Sequence, residues 1–530
     1  MKKKIFFFLS FLFLALLLPG IDRDKTKLDP NLFSPDYSQS KIVKNKRFGR
    51  ALLFTTGYYL FNSVKYWIKY SDWAEDWDYE LNWEDQRVRF FTLKAHTFDS
   101  NPFNTNLSHV FGSEMRYHFA RYNRLNRTES FLLCVFFSLC WEYISEWREV
   151  ISVNDNIYST IGTIPFGEPL FQISSYFYGK GGTFNKILGT IFSPGTAINY
   201  LLDRKKERRR DVNQGFSNPL IDVYFGYKQV STGAEKNRSP VLFHIGSETV
   251  FYTIPGYGAP GTINRFFKNT LLNEVRADVS FGLNSLEEYS LSTKTVLFGR
   301  YIQDIKQGSA ETVKGYSLLF GGGSAFDLFK KRAIAYYDIG SYHYDFNSGE
   351  RPSQPTEFTD KLAIINIIGP NVEFSLYANR FKLRLSVDAY ADFAYVNSLA
   401  LNEYSGAHDL FAPRLKTLLI HYGYYCAFGF TLSSRVNLFF RNFEINGKFK
   451  YQYYDSIEGL DRVQKNVEDD CNITDSRLMY RISLGYTIPK TPIKIVFAWE
   501  DINRRGSLKD ITHRESEIRY FTQLEFSYLF

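Results

Sequence analysis

The sequence has too few apolar residues for a bundle of membrane-spanning helices. Over its 530 residues the mean hydropathy is −0.27, whereas each spanning helix needs about 20 consecutive apolar residues. Cysteine is scarce, and the four cysteines follow neither a disulfide framework nor a metal-binding spacing. Cys134 and Cys140 lie in an apolar stretch with a helical pattern and are predicted to be small core residues. Whether Cys426 and Cys471 form a disulfide stays open.

Several functional motifs are also missing. The chain has no G-x-S-x-G nucleophile motif, no phosphate-binding G-x-x-x-x-G-K-[ST] and no dinucleotide fingerprint. It has no H-E-x-x-H and no array of cysteines and histidines, so we expect neither a metal nor a cofactor. The net charge of +8 is mild for this length, and no basic-aromatic motif is present. Nucleic acid is therefore not an expected partner.

Aromatic residues, in contrast, are abundant. They make up 18% of the chain, with 50 Phe and 38 Tyr. A large, slightly polar and aromatic-rich chain fits either a soluble β protein or an outer-membrane β-barrel, whose strands are apolar on one face and whose rims carry aromatic girdles.

The first residues resemble a secretory signal. Three lysines, Lys2 to Lys4, precede an apolar run from Ile5 to Leu18 that only Ser10 interrupts. This order predicts a signal peptide over residues 1–20. A membrane anchor is the alternative, although the run is short for a membrane span. Residues 21–48 are polar and predict a flexible leader.

The last residues predict a barrel strand. Phe526, Tyr528 and Phe530 alternate on one face, as the two-residue period of a strand with one face in lipid requires. The segment resembles the C-terminal strand that bacterial outer-membrane barrels present to their assembly machinery. An amphipathic strand that ends a soluble sheet is the alternative.

Residues 211–530 repeat this pattern of alternation. In one example, Val387, Ala389, Ala391 and Phe393 alternate with more polar neighbours. Counting such segments gives about twelve to fourteen strands, and because bacterial single-chain barrels carry even numbers of strands, we predict twelve.

Residues 49–210 differ in pattern from the strand region and predict helices. Glu129–Arg148 is one candidate helix, and its stretch from Phe131 to Trp141 is almost wholly apolar. Such helices need burial against something other than water. We expect this module to plug the barrel lumen or to lie beneath the barrel in the periplasm.

The order of residues in this module resembles a known family. Trp141-Glu142-Tyr143 with Glu146, then Ser152-Val153-Asn154-Asp155, then Gly167-Glu168 occur in the order and spacing of the bacterial family called domain of unknown function 3943. The resemblance covers roughly residues 80–205. It implies an exported, envelope-associated protein that often continues into a barrel-like C-terminal half, and it implies no particular activity.

A set of polar residues in the module forms the candidate site. Cys134, Ser138, Glu142 and Glu146 recur every four residues and share one helix face. Buried carboxylates need partners, and Arg121, His109 and Asp155 are candidates. The complete set is Asp99, His109, Arg121, Glu142, Glu146, Asn154, Asp155 and Glu168. It either ties helices together or provides acid–base chemistry and holds an anionic group.

Together these patterns predict a mainly β fold, an antiparallel transmembrane β-barrel of about 12 strands over residues 211–530 with the helical module before it. The predicted location is the bacterial outer membrane, after export across the inner membrane. The predicted role is structural or in transport, with outer-membrane lipid, the barrel-assembly machinery and a small solute as partners. The alternative is an envelope enzyme that acts on lipid or glycan through the Glu/His/Arg set.

Overall fold

A computed structural model describes residues 46–70, 78–98, 103–203, 220–232, 241–254, 256–267, 272–283, 285–308, 312–332, 359–400, 424–457 and 472–529. The predicted signal peptide and almost all of the leader, as well as Asp99, Cys471, Phe530 and the side chain of Tyr528, lie outside this description. In these ranges no helix combines the length and the apolar character that a membrane crossing requires.

Helices occupy the N-terminal part of the chain, as predicted. They are α1 (Phe48–Tyr70), α2 (Trp83–Phe91), α3 (Phe103–Tyr122), α4 (Arg127–Cys140), α5 (Val153–Thr160), α6 (Thr163–Lys180), α7 (Thr183–Phe192) and α8 (Pro194–Leu202). Two short strands, β1 (His96–Thr97) and β2 (Ile151–Ser152), pair in parallel between them.

Side-chain caps fix several helix starts. Asn126 accepts the backbone N–H of Glu129, whose own side chain accepts the backbone N–H of Asn126, so α4 begins with a reciprocal capping box. Ser152 caps α5, and Ser193 caps α8, where a proline in the first turn fits because it has no N–H to satisfy.

The remainder of the described chain is β structure. The strands are β3 (Leu220–Thr232), β4 (Val241–Tyr252), β5 (Gly261–Phe267), β6 (Leu272–Phe281), β7 (Leu286–Gln307), β8 (Val313–Arg332), β9 (Thr359–Asn379), β10 (Phe381–Asn397), β11 (Tyr424–Phe440), β12 (Phe443–Ser456), β13 (Ile473–Thr487), β14 (Ile493–Leu508) and β15 (Ile511–Leu529).

These strands close into a barrel with twelve positions. Both β5 and β6 pair with β7, one continuing the line of the other, so they form a single interrupted strand. The sheet closes because β7 also pairs with β8, while the C-terminal β15 pairs with β3. All pairings in the barrel are antiparallel. The predicted fold class is confirmed.

The two ends of the barrel differ in their connections. At one end β9 is joined to β10 through Arg380, and β11 to β12 through Arg441 and Asn442. Asn379 and Arg441 adopt positive φ at these tight turns. At the other end much longer segments join β8 to β9, β10 to β11, and β12 to β13. We call these the short-turn end and the long-loop end.

Alternation along each strand separates a polar lumen from an apolar exterior. On β12, Glu444, Asn446, Lys448 and Lys450 line the lumen. Between them, Ile445 faces outward and is largely exposed. Other exposed exterior residues are Phe430, Leu432, Val436, Tyr480, Ile482, Leu484, Phe497, Tyr520 and Leu524. Such an apolar band is the surface of a barrel that spans a bilayer.

The helical module packs on the outside of this barrel. Val275, Thr293, Phe326, Ile365, Phe393 and Phe428 lie directly opposite one another on six neighbouring strands. On β8 the flanking Ala325 and Asp327 line the lumen, so Phe326 and the rest of this row face outward. Phe326 contacts Phe166 of α6, with 5.4 Å between ring centroids.

The predicted lumen plug is therefore contradicted. Phe326, Ile365 and Phe393 are fully buried beneath α5 and α6, whereas Phe428, next in the row, is 52% exposed. The lumen is lined with charged side chains and the outer wall with apolar ones, so apolar helices match the outer wall. Alternation in the sequence identifies two faces, but it does not say which face the helices cover.

Candidate functional site

The structure divides the predicted polar residues into two groups within the helical module. Arg121 and Glu168 form the first group. His109, Glu142, Glu146, Asn154 and Asp155 form the second, and Arg121 does not join it as a partner of Glu142 or Glu146.

Glu168 on α6 is the centre of the first group. It is fully buried and accepts hydrogen bonds from Arg121 Nε and Tyr117 Oη at 2.8 Å each, from Arg127 Nε at 3.0 Å and from Gln172 Nε2 at 2.6 Å. Although burial opposes ionisation, the two guanidinium groups hold the pKa of Glu168 well below its usual range. The carboxylate therefore stays charged and joins α3 and the start of α4 to α6.

The second group follows the end of α4. Glu142 Oε2 accepts the backbone N–H of Ser152 at 2.8 Å. Glu146 Oε1 accepts from Trp141 Nε1 at 2.6 Å. Burial raises the pKa of Glu142, and the neighbouring Asp155 charge raises it further. Burial and nearby carboxylates also raise the pKa of Glu146.

The remaining residues of this group connect α3, α5 and the barrel. His109 Nε2 lies 3.3 Å from Asp155 Oδ2. Asn154 Nδ2 donates to Tyr395 Oη on the outer wall of β10 at 2.7 Å. Of the predicted stripe of Cys134, Ser138, Glu142 and Glu146, the first three side chains are buried, whereas Glu146 follows the π-helical turn as its C-cap.

Arg89 is a key residue of the module that sequence reasoning missed. It is fully buried in α2, and its guanidinium donates to the backbone oxygens of Glu142, Tyr143, Glu146 and Glu149. These carbonyls belong to the π-helical turn Trp141–Ser145 and the residues after it, where a helix end leaves acceptors unsatisfied. A lone arginine in a short helix gives no signal of this role.

The residues of the predicted site consequently hold the helices together. The carboxylates are buried or nearly so, each has protein partners, and the contacts join helices to one another and to the barrel wall. Among the described residues, no group of three or more His, Cys, Asp or Glu side chains is arranged to hold a metal ion.

A different feature, the barrel lumen, contains a large polar chamber. Its volume is about 690 Å³, in the range of small-molecule sites. Nine basic side chains line it: Arg276, Lys294, Arg384, Arg435, Arg441, Lys448, Lys450, Arg481 and Lys494. Eight acidic side chains accompany them: Asp222, Glu248, Glu274, Asp327, Glu373, Asp388, Glu444 and Glu525.

The chamber reaches the short-turn end of the barrel. The turn residues Arg441, Asn442, Thr491 and Pro492 are part of its lining. Toward the long-loop end, inward-facing apolar side chains meet in a cluster formed by Leu362, Ile364, Ala394, Val396, Ala400, Tyr425, Ala427, Tyr454, Ile473 and Leu508. This cluster lies on β9 to β14, between the chamber and the long-loop end of those strands.

Ion pairs hold most of the charges of the chamber, and some of these pairs span it. Arg435 on β11 reaches across the lumen to Glu248 on β4 at 3.0 Å and to Glu274 on β6 at 3.1 Å. Lys450 likewise spans the lumen to Asp327 at 2.7 Å. These pairs connect opposite walls, so they brace the barrel and define a central zone of charge.

Three bases of this zone lie side by side. Arg435, Lys448 and Arg481 are direct cross-strand partners on β11, β12 and β13, where opposed Cβ atoms are about 5 Å apart. Arg435 has its two glutamates, and Arg481 lies 3.4 Å from Glu500. We call these three residues the basic row.

Lys448, in the middle of the basic row, is different. In the described part of the chain it has neither a hydrogen bond nor an ion pair within 4 Å, and the positive Arg276 as well as the negative Glu248 lie within electrostatic range. The alternation Glu444, Asn446, Lys448, Lys450 could have indicated a charged lumen from sequence. Which bases become neighbours depends on strand register, which the sequence does not display.

Comparison with known proteins confirms the resemblance of the module. Residues 95–195 match the family model "Domain of unknown function (DUF3943)", and the matched stretch runs from β1 to the start of α8. No curated protein matches the chain.

Several solved structures are similar to the barrel half. OmpT, an outer membrane protein of Vibrio cholerae, is 6% identical with a TM-score of 0.21 and covers 58% of this chain and 98% of its own. The transport unit of the autotransporter AIDA-I from Escherichia coli is 7% identical with a TM-score of 0.21, covering 62% and 95%. The KdgM porin is 11% identical with a TM-score of 0.19, covering 58% and 99%. The barrel architecture itself follows from the strand pairing.

Proposed function

We propose that the protein is a bacterial outer-membrane barrel that admits a small anionic solute to its lumen from the short-turn end. The observation that carries this proposal is the unpaired Lys448 in a chamber of about 690 Å³. A polar chamber inside a closed barrel with an apolar exterior supports a binding or transport role over a purely structural one.

The outer-membrane location is supported by the barrel itself. Its exterior residues form a continuous apolar surface on the strands that the helices leave uncovered, and burying apolar area is worth about 25 cal/mol per Å². The C-terminal strand presents Phe526 outward, stacked on Phe225 with 5.7 Å between ring centroids. Export across the inner membrane, contact with outer-membrane lipid and delivery by the barrel-assembly machinery are parts of this proposal.

The basic row favours an anion as the solute. Like charges directly opposite on neighbouring strands repel one another, and an anion placed among them relieves this repulsion. A carboxylate or phosphate group offers several oxygens to ammonium and guanidinium donors. The chamber volume leaves room for more than one such group, so small organic acids and phosphate esters fit it.

Passage through the barrel leads past an apolar cluster on one side of the lumen. The apolar cluster at the long-loop end lies between the chamber and that end. A solute that enters at the short-turn end therefore meets this cluster on one side of the lumen, and we expect its displacement to widen the path for transport. Binding and transport are thus separable steps.

Binding of succinate and inorganic phosphate to the full-length protein in detergent, followed by calorimetry and thermal stabilisation, tests the proposal. We expect saturable binding that weakens with added salt and at least about a ten-fold loss of affinity, or about 1.4 kcal/mol, in Lys448→Gln. Lys65→Gln, at an exposed position on α1, is the matched control. Absence of binding for both anions, or equal binding by both variants, would contradict the proposal.

None of the contacts described above adds support to the enzyme alternative. Arg121 is occupied by Glu168, and Glu142 and Glu146 have other partners. Catalysis by this set stays a prediction.

A further inference from the structure

We propose that the outward face of the helical module is embedded in the hydrocarbon of the bilayer, beside the barrel. On α1 an apolar stripe at helical spacing stands exposed. It consists of Leu53, Leu60, Phe61, Val64 and Ile68. Phe61 is 68% and Ile68 75% exposed, although both are large apolar side chains. On α4 the same pattern recurs in Leu132, Phe136 and Leu139.

The two stripes belong to one surface. Tyr59 of α1 packs against Phe137 of α4, with ring centroids 5.6 Å apart, and against Trp141 at 6.4 Å. Tyr59 also accepts a hydrogen bond from Ser145 at 2.9 Å. The helix α1 therefore contacts α4 and the turn that follows it, which places the two exposed apolar stripes on neighbouring elements. Patches of more than a few hundred Å² mark an interaction surface.

Along α4 and the turn after it, several polar side chains are buried beside Leu133 and Phe137, while large apolar side chains stand exposed. On α4 and the turn after it, the buried side chains include Ser130, Ser138, Glu142 and Ser145. The exposed ones include Leu132, Phe136, Leu139 and Ile144. Polar groups that face inward and bond to one another, with apolar groups outside, are typical of helices in lipid. The bonds of Glu168 to Arg121 and Arg127 fit the same rule.

The module also lies at the height of the barrel's apolar exterior. Phe393, covered by Tyr158 of α5, lies directly opposite the exposed Phe428. Neighbouring strands are only about 5 Å apart, so lipid that reaches Phe428 also reaches the edge of the helices. The lipid-facing surface of the barrel therefore extends to the edge of the module.

The length of the stripe on α1 agrees with this position. From Leu53 to Ile68 the helix rises by about 23 Å at about 1.5 Å per residue, close to the apolar band of about 25 Å on outer-membrane barrels. Lys65 and Lys69 are exposed near the C-terminal end of α1, where long stems let ammonium groups reach the headgroup region. Acyl chains, which cover the apolar exterior of a membrane barrel, match this apolar surface.

Photolabelling tests the proposal on the unmodified full-length chain. The protein is reconstituted into phosphatidylcholine vesicles that contain a phospholipid with a diazirine in its acyl chain, and labelled peptides are mapped by mass spectrometry. We expect label on the peptides of α1 and α4 at yields comparable to those of β14, which carries the exposed Phe497. Label on barrel peptides with none on α1 and α4 would overturn the proposal.

Two lysine variants provide a second measurement. Phe136→Lys and Leu60→Lys place a charge in the proposed lipid-facing surface, and a charge on the lipid face of a barrel near the membrane midplane shifts folding by at least about ten-fold. We expect loss of the folded, lipid-inserted form, while Glu84→Lys, at an exposed site on α2, retains it. Unchanged insertion of both variants, or a shift of the protein to a dimer that shields α1 and α4 from label, would identify water or a second copy as the occupant and refute the proposal.

Discussion

Tyr158 of the helical module stacks on Tyr395 of the barrel's outer wall, with ring centroids 4.5 Å apart and planes only 4° apart. The Tyr158 hydroxyl donates to the backbone oxygen of Ala363 on β9 at 2.9 Å, while the Tyr395 hydroxyl accepts from Asn154 at 2.7 Å. Both rings are fully buried. This pair therefore fixes the position of the module on the barrel through stacking and two hydrogen bonds.

Tyr158→Ala should loosen the module while the barrel stays folded. Removing a large buried ring costs about 3–5 kcal/mol, and these contacts connect the two parts. We expect proteolysis of the helices at protease concentrations that leave the wild type intact, with heat-modifiable mobility of the barrel retained. Phe428→Ala is the control, because Phe428 lies on the outer wall next to Phe393 but is exposed and not covered by the module. Equal protease resistance of Tyr158→Ala and the wild type would show that this pair does not hold the module.

Glu168→Gln should destabilise the module strongly. Loss of the carboxylate leaves the guanidinium groups of Arg121 and Arg127 without their buried counter-charge, and breaking a buried pair in this way costs about 3–5 kcal/mol. Thermal unfolding, followed by the loss of helical circular dichroism, measures the effect. Glu84→Gln, at an exposed site on α2, is the control and should stay within about 0.5 kcal/mol of the wild type. A similarly small change in Glu168→Gln would refute the structural role of this carboxylate.

Arg89→Leu should disconnect α2 from the end of α4. The substitution removes hydrogen bonds from a charged donor, each worth about 1.5–3 kcal/mol, and leaves several buried carbonyl oxygens unsatisfied. We expect faster amide hydrogen exchange in the turn Trp141–Ser145 and in α2. Arg87→Leu changes an exposed arginine of the same helix and should leave exchange unchanged. Identical exchange in both variants would argue against Arg89 as the cap of this turn.

Lys448→Gln should leave the barrel as stable as the wild type or stabilise it by up to about 1 kcal/mol, because it relieves repulsion between opposed like charges. Arg435→Gln should have the opposite effect, since it leaves Glu248 and Glu274 without their partner across the lumen. Urea titration of heat-modifiability compares the two variants. Destabilisation by Lys448→Gln equal to that of Arg435→Gln would mean that Lys448 serves the fold rather than a ligand.

Glu142→Gln and Glu146→Gln address the enzyme alternative. Both carboxylates are buried and have a pKa raised above the usual range, so the neutral amide resembles the protonated acid. We therefore expect normal assembly of both variants. An activity on envelope lipid or glycan that is present in the wild type and lost in both correctly assembled variants would favour the enzyme over the binding protein.

The sequence predicts the barrel well because strand alternation is a local property. The strand segments and the outward face of Phe526 follow from the two-residue period, while the number twelve and the antiparallel order also depend on the known architecture of bacterial barrels. The family resemblance and the helical character of the module could also be predicted from the sequence, since the residues of WEY-x-x-E lie within two helical turns of one another.

The position of the module on the barrel could not be predicted from the sequence, because it depends on contacts between distant segments. Asn154 and Tyr395 are 241 positions apart, and nothing near Asn154 reveals which wall it meets. The pairing of Arg121 with Glu168 instead of Glu142 has the same origin, since it depends on how α3 crosses α6. Likewise, only the register of β11, β12 and β13 brings Arg435, Lys448 and Arg481 into one row.

The order of the chain has a consequence for assembly. The helices precede every strand on which they dock, and the wall that receives Tyr158 is built from β9 and β10, late in the chain. Until those strands pair, the apolar side of α5 and α6 has no native cover, and contacts between segments far apart in sequence form slowly. The apolar side of the newly made module therefore stays uncovered until the barrel wall forms, and the finished wall then protects it from aggregation.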